Sequence, residues 1–120
     1  MKKILIQFVF IYSCLGSAVF ADVPAAQMHE VNHLFAFIKN SACIINRNGT
    51  DYPAEKSLQH IKKKYDYFRD EIKSTEDFIA LAASKSTMSG EHYRVTCPGE
   101  KTVNTQTWLL SELKKYREEQ

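Results

Sequence analysis

Two cysteines, Cys43 and Cys97, stand 54 positions apart and constrain this chain more than any other feature. Their meaning depends on compartment, and the first 21 residues speak to that. Lys2 and Lys3 give a positive start, and Ile4 to Tyr12 form an apolar core too short to span a membrane. Val19 and Ala21 occupy the small-residue positions of a cleavage site. Residues 1–21 therefore read as a cleavable export signal, and 22–120 as one small domain with no stable membrane insertion after cleavage. Cys14 raises the alternative of a lipid anchor, but the bulky Tyr12 falls where such motifs carry small residues. In an exported chain of under a hundred residues, the remaining even pair predicts a Cys43–Cys97 disulfide. Closing that loop is worth about 4 kcal/mol in the chain-entropy model. A whole domain commands only roughly 5–15 kcal/mol. A redox or nucleophilic cysteine is the sharper reading, but no C-x-x-C spacing supports it.

Losing the signal also changes the charge. Sixteen basic residues stand against fourteen acidic ones, and removing Lys2 and Lys3 leaves the chain formally neutral. Such a chain has no net field to attract nucleic acid. The run Lys62 to Lys64 reads as the wet face of a helix.

The rest alternates between two periods. Met28, Val31, Leu34, Phe35 and Ile38 recur at helical steps and predict a helix over Pro24 to Ser41. Asn48-Gly49 between Ile44-Ile45 and Thr50–Tyr52 predicts a type I′ hairpin. The same residues, with Thr50, spell a glycosylation sequon, which only a eukaryotic secretory route would use. Ala54, Leu58, Ile61, Tyr65, Phe68 and Ile72 alternate four and three apart in a second helix. Ser74 to Asp77 restarts a third with capping-box chemistry. Tyr93 and Val95 alternate with Arg94 and Thr96 as a third strand, broken by Pro98-Gly99. A fourth helix should run from Asn104 or Thr105 to Tyr116, with the polar end frayed. The order α-β-β-α-α-β-α predicts an α+β fold, a three-stranded antiparallel sheet packed with about four helices. The disulfide would pin the first and third strands side by side.

Candidate chemistry begins with His29-Glu30-Val31-Asn32-His33, which spells the H-E-x-x-H zinc-peptidase signature. Such a site needs two histidines, a glutamate to activate water and a third ligand. At about 100° per residue, His29 and His33 fall about 160° either side of Val31, away from the apolar stripe. Both should face water. Ala36 and Lys39 also stand where the longer motif has glycine and a third histidine. No third ligand is recommended by spacing, so a zinc peptidase is the lesser reading and no cofactor is expected. His60, between Leu58 and Ile61, reads as a partly buried structural histidine.

The other candidate is the polar run Ser84 to Gly90, with Tyr93 just beyond. A Ser-Lys nucleophile can be imagined there, but these are ordinary loop formers at the carbonyl end of a helix. Ser84, Lys85, Ser86, Ser89, Gly90 and Tyr93 are the candidate contact residues for a partner.

Glu30, His33-Leu34, Phe37-Ile38, Ser41, Cys43, Arg47 to Tyr52 and His60-Ile61 form a pattern with Lys64-Tyr65 and Ser74 to Gly90. It closes with Tyr93, Val95, Cys97 and Trp108-Leu109. Together these resemble a small family of exported bacterial proteins catalogued as domain of unknown function 5329, with Thr75 and Thr87 as small departures. The resemblance implies a bacterial, periplasmic protein and carries over no activity. His29 lies outside its pattern, whereas the serine-glycine loop lies within it. Ser89-Gly90-x-x-Tyr93 is also similar to the S-G-x-x-Y loop of periplasmic inhibitors of c-type lysozyme, although those are β-barrels. The expectation is a non-enzymatic, disulfide-stapled binding module whose partner is a protein or an envelope component.

Overall fold

The computed structural model describes residues 22–120. The expected export signal and Cys14 lie outside the described residues. A short 3-10 turn, Ala25–Gln27, leads into α1 (Met28–Asn40), and then β1 (Ile44–Arg47) and β2 (Thr50–Pro53) form the hairpin. Asn48 (φ 53°) and Gly49 (φ 85°) both take the left-handed conformation that a type I′ turn requires. The backbone N–H of Ala54 donates to Cys43 O at 3.0 Å, closing the hairpin where α2 (Ala54–Phe68) begins.

The apolar repeat of α2 runs on in sequence to Ile72, but the α-helix stops at Phe68. A 3-10 turn over Arg69–Glu71 follows, with Arg69 held by Asp22 and Asp66. Ile72 is still fully buried, in extended conformation. Ser74 caps α3 (Thr75–Ala82) by accepting the N–H of Asp77 at 3.0 Å, and Asp77 in return accepts the N–H of Lys73.

The sheet has four antiparallel strands, not three, in the order β2-β1-β3-β4. β3 is Arg94–Thr96, and β4 is the pair Val103–Asn104 on its outer edge. Two residues carry no readable alternation, and Asn104 also begins the turn into α4 (Thr105–Glu118), so a strand signal had no room to appear. Ile45 pairs with Val95 and both are buried, while Ile44, Arg94 and Thr96 are exposed. One sheet face thus meets the helices, with α2 against β1 and β2, and α4 against β3 and β4.

Cys43 and Cys97 flank the Ile44–Thr96 pair and are joined by a disulfide. It pins β1 to β3 by joining cysteines that are 54 positions apart in the chain. Val31, Leu34 and Ile38 meet Ile61, Phe78, Ile79, Leu109 and the sheet residues in one core. Each such side chain is worth about 1.5–3 kcal/mol when fully buried. Among the described residues, no helix is long and apolar enough to cross a membrane.

Helix α4 does not fray at Tyr116. Arg117 lies within it and closes on α1: Nε donates to Glu30 Oε2 at 2.7 Å and Nη2 to Oε1 at 2.9 Å. Nη1 reaches Glu76 on α3 at 2.6 Å, and the Thr75 hydroxyl donates to Glu30 Oε1 at 2.6 Å. A cation at the C-terminal end of a helix also complements its dipole. The Arg117 guanidinium, helped by Thr75, holds the Glu30 carboxyl at about 2 although burial opposes it.

Candidate functional site

The run after α3 is a tight excursion whose own serines fold it. Ser84 is buried and donates its hydroxyl to Ile79 O at 2.6 Å, sharing with the Ala83 N–H a carbonyl at the end of α3. Across the base, the Tyr93 N–H donates to Ser84 O, and the Ser86 N–H to Glu91 O, each at 2.9 Å. The Gly90 N–H donates back to Ser86 O, and the Ser89 N–H to Ser86 Oγ. Gly90 has φ +78°, a conformation that favours glycine. The loop is moored outside itself as well: Ser89 Oγ donates to Asn48 Oδ1 at 2.7 Å, joining it to the hairpin turn. At its tip Met88 is 96% exposed.

The six candidate contact residues therefore divide. Lys85, Ser89 and Gly90 are at the surface, whereas Ser84, Ser86 and Tyr93 are buried and hold the loop in shape. With its hydroxyl donated to a backbone carbonyl, Ser84 is not presented as a nucleophile. In the S-G-x-x-Y segment, Ser89 and Gly90 are exposed but Tyr93 is only 2% exposed.

Beneath the loop lies a feature that sequence reading assigned to solvent. Lys62 and Lys63 are exposed on α2, but Lys64 is 8% exposed. Its ammonium donates to Lys85 O at 2.6 Å and to the Tyr93 hydroxyl at 3.3 Å, and sits 5.1 Å from the centre of that ring. His60 Nε2 lies 3.1 Å from the same hydroxyl. An ammonium only donates, so the Tyr93 hydroxyl accepts from Lys64 and donates its own hydrogen bond to a neutral His60. Arg47, at the end of β1, rests over the Tyr52 ring at 4.1 Å, and its Nε is buried with no partner.

Arg47, His60, Lys64 and Tyr93, with Thr87 and Met88 of the loop, line a cleft of about 220 Å³. None of the ion pairs found among the described residues involves its three basic side chains. Burial pushes the His60 imidazolium down, and Arg47, Lys64 and Lys63 push it further. Burial and then Arg47 do the same to Lys64, while burial raises Tyr93. His60 is half-buried, as expected; its place among cations was not. The signal was there in part: Lys64 follows Ile61 by three, on the buried edge of α2, where a lysine is out of place.

The H-E-x-x-H segment is taken up by packing. His29 is exposed, with Nδ1 2.9 Å from the Tyr116 hydroxyl. His33 does not face water as the helical wheel implied. It is 30% exposed, stacks on Tyr116 with ring centres 3.9 Å apart, and meets Glu112 at 2.7 Å. The reason is α4, which covers the face of α1 that one helix read alone assigns to solvent. Glu30, the would-be base, is buried and clamped by Arg117. Among the described residues, no group of three or more His, Cys, Asp or Glu side chains could hold a metal ion.

The fold and the cleft define an α+β protein with a one-sided antiparallel sheet, a disulfide across its central strands and a polar loop over unpaired cations. Residues 25–117 match the model of a family described as a family of unknown function (DUF5329), and the chain belongs to that family. No curated protein matches the chain, and neither does any solved structure.

Proposed function

We propose that the chain is exported to the bacterial periplasm, loses residues 1–21, and acts there as a non-enzymatic binding module for a protein or component of the cell envelope. The supporting observation is the loop itself. Its base is hydrogen-bonded across, its flank is tied to the hairpin turn, and Met88 is presented at the tip. Held out on a braced, polar loop, the exposed Met88 is available to a partner. The disulfide suits an oxidising compartment.

The test is capture from envelope extract with the purified protein and its Met88→Ser and Lys85→Ala variants. Both residues are exposed, so melting temperature should hold within a few degrees while a specifically captured species is lost. Capture of the same species by all three proteins would refute this surface as the contact site.

A further inference from the structure

We infer that the cleft formed by Arg47, His60, Lys64 and Tyr93 is a binding site for a compact oxyanion of the phosphate type. The inference rests on the proposed binding role and names the chemistry that the same loop would cover. Burying cations is costly unless a counter-charge or full hydrogen bonding offsets it. Here Lys64 is buried with two acceptors for its three protons, and neither acceptor is charged. Arg47 lines the same cleft with a buried, unused Nε. Among the described residues, no Asp or Glu side chain lines it. The ion-paired carboxylates among the described residues lie elsewhere, on Arg69, Arg117, Lys114 and His33.

The donor set also speaks to ligand charge. Arg47 and Lys64 are cations, and His60 stands ready as a third. When an anion enters, a protonated His60 can donate toward it. The Tyr93 hydroxyl is then free to donate a hydrogen bond to the ligand as well, since its acceptor is gone. A tetrahedral dianion uses such converging donors better than a flat monoanion, and an arginine fork favours phosphate geometry. Asn48 and Thr87 at the rim add polar groups without charge.

Binding should therefore be coupled to a proton. Arg47, Lys64 and Lys63 face His60 from β1 and α2, and a bound dianion would offset all three. In phosphate-free buffer His60 titrates below its ordinary 6.5. Inorganic phosphate should move that midpoint upward, and NMR of the ring protons reads it directly.

The probe is inorganic phosphate added to the purified protein, with chloride and acetate at matched ionic strength as controls. Phosphate should saturate with a Kd of about 1 mM or tighter. Arg47→Gln should weaken it about tenfold or more while the melting temperature holds, and Lys64→Met should abolish it. Vesicles of neutral phospholipid with and without phosphatidic acid separate a lipid headgroup from a soluble phosphate. Vesicle binding that requires phosphatidic acid and that Arg47→Gln removes assigns the lipid source; a response to free phosphate alone assigns a soluble one.

His60 unmoved at about 10 mM phosphate, moved equally by chloride, or moved equally in Arg47→Gln overturns the inference. That result would leave envelope capture by the loop untouched. Loss of the capture result with an intact phosphate response would instead refute the loop reading and keep the site.

Discussion

Two clusters of charge lie in this fold, and they are built oppositely. At the seam of α1, α3 and α4, Arg117 is matched by two carboxylates, and Glu30 carries a further bond from Thr75. Beneath the loop, His60 and Lys64 meet at one tyrosine hydroxyl and Arg47 lines the same cleft, with no carboxylate among them. The first cluster is complete and serves the fold. The second is left open on its solvent side, and an incomplete polar cluster inside a compact chain calls for a partner.

The largest perturbation tests how far the two clusters share support. The disulfide pins β1, which carries Arg47, to β3, which follows Tyr93. It does not touch the Glu30–Arg117 seam. Replacing both cysteines by alanine should cost about 2–5 kcal/mol by denaturant unfolding. Hydrogen exchange should show β1 and β3 amides opening before those of α1 and α4. Uniform loss of protection would mean that cleft and seam unfold as one unit.

Next comes the seam. Arg117→Met leaves Glu30 buried without its counter-charge, and about 2–3 kcal/mol of stability should go with it. The acid limb sharpens this. Glu30 has a folded-state value of about 2 against an ordinary 4.5, so its contribution is complete above 4.5 and lost as pH falls toward 2. The Arg117→Met and wild-type curves should therefore converge over that window. Curves that stay parallel would show that the pair carries no linked stability.

These clusters also mark where sequence reading stopped. Local rules were legible: Asn48-Gly49 as a tight turn, Ser74 as a cap, the α2 stripe, and the cysteine pair. Each depends on residues within one turn or on one covalent option. What was hidden depends on which helix covers which. His33 faces outward on α1 alone and is covered only because α4 lies across it. Arg117 sits in a polar tail and becomes structural through α1 and α3. Lys64 is one of three successive lysines, and only the loop from α3 to β3 encloses it. The candidate loop was found from its composition, but the cations under it come from β1 and α2, about 20 to 40 residues upstream.

A milder test sits at His60. Its folded-state value lies below 6.5, so the stability it permits is complete above 6.5 and declines as pH falls through the lower value. His60→Gln keeps a hydrogen-bonding group beside Tyr93 but cannot gain a proton. Its unfolding free energy should exceed that of wild type, relative to neutral pH, by about 1 kcal/mol or less at pH 5. A variant that loses stability at pH 5 as steeply as wild type would remove His60 from the cationic cluster.

The smallest expected effect separates the clusters most sharply. Lys64→Met keeps the length of the side chain, removes its charge, and gives up bonds to Lys85 O and Tyr93. At a paired site such a change destabilises. Here the buried ammonium has no carboxylate, so the outcome at neutral pH should lie between no change and about 1 kcal/mol of stabilisation. The alkaline limb gives the sign. Because the fold lowers Lys64 from 10.5, the wild-type protein gains stability as pH rises through the lowered value toward 10.5. Tyr65, pushed up to about 12 by burial and its bond to Asp22, works the other way from 10 upward, but equally in both proteins. Any advantage of Lys64→Met should therefore shrink with rising pH in the difference between the two. Phosphate should shrink it too, since it stabilises only the protein that still has the lysine. A Lys64→Met protein that is less stable by 2 kcal/mol or more at neutral pH, with no response to either condition, would place Lys64 with Arg117 as a structural cation and erase the distinction between the two clusters.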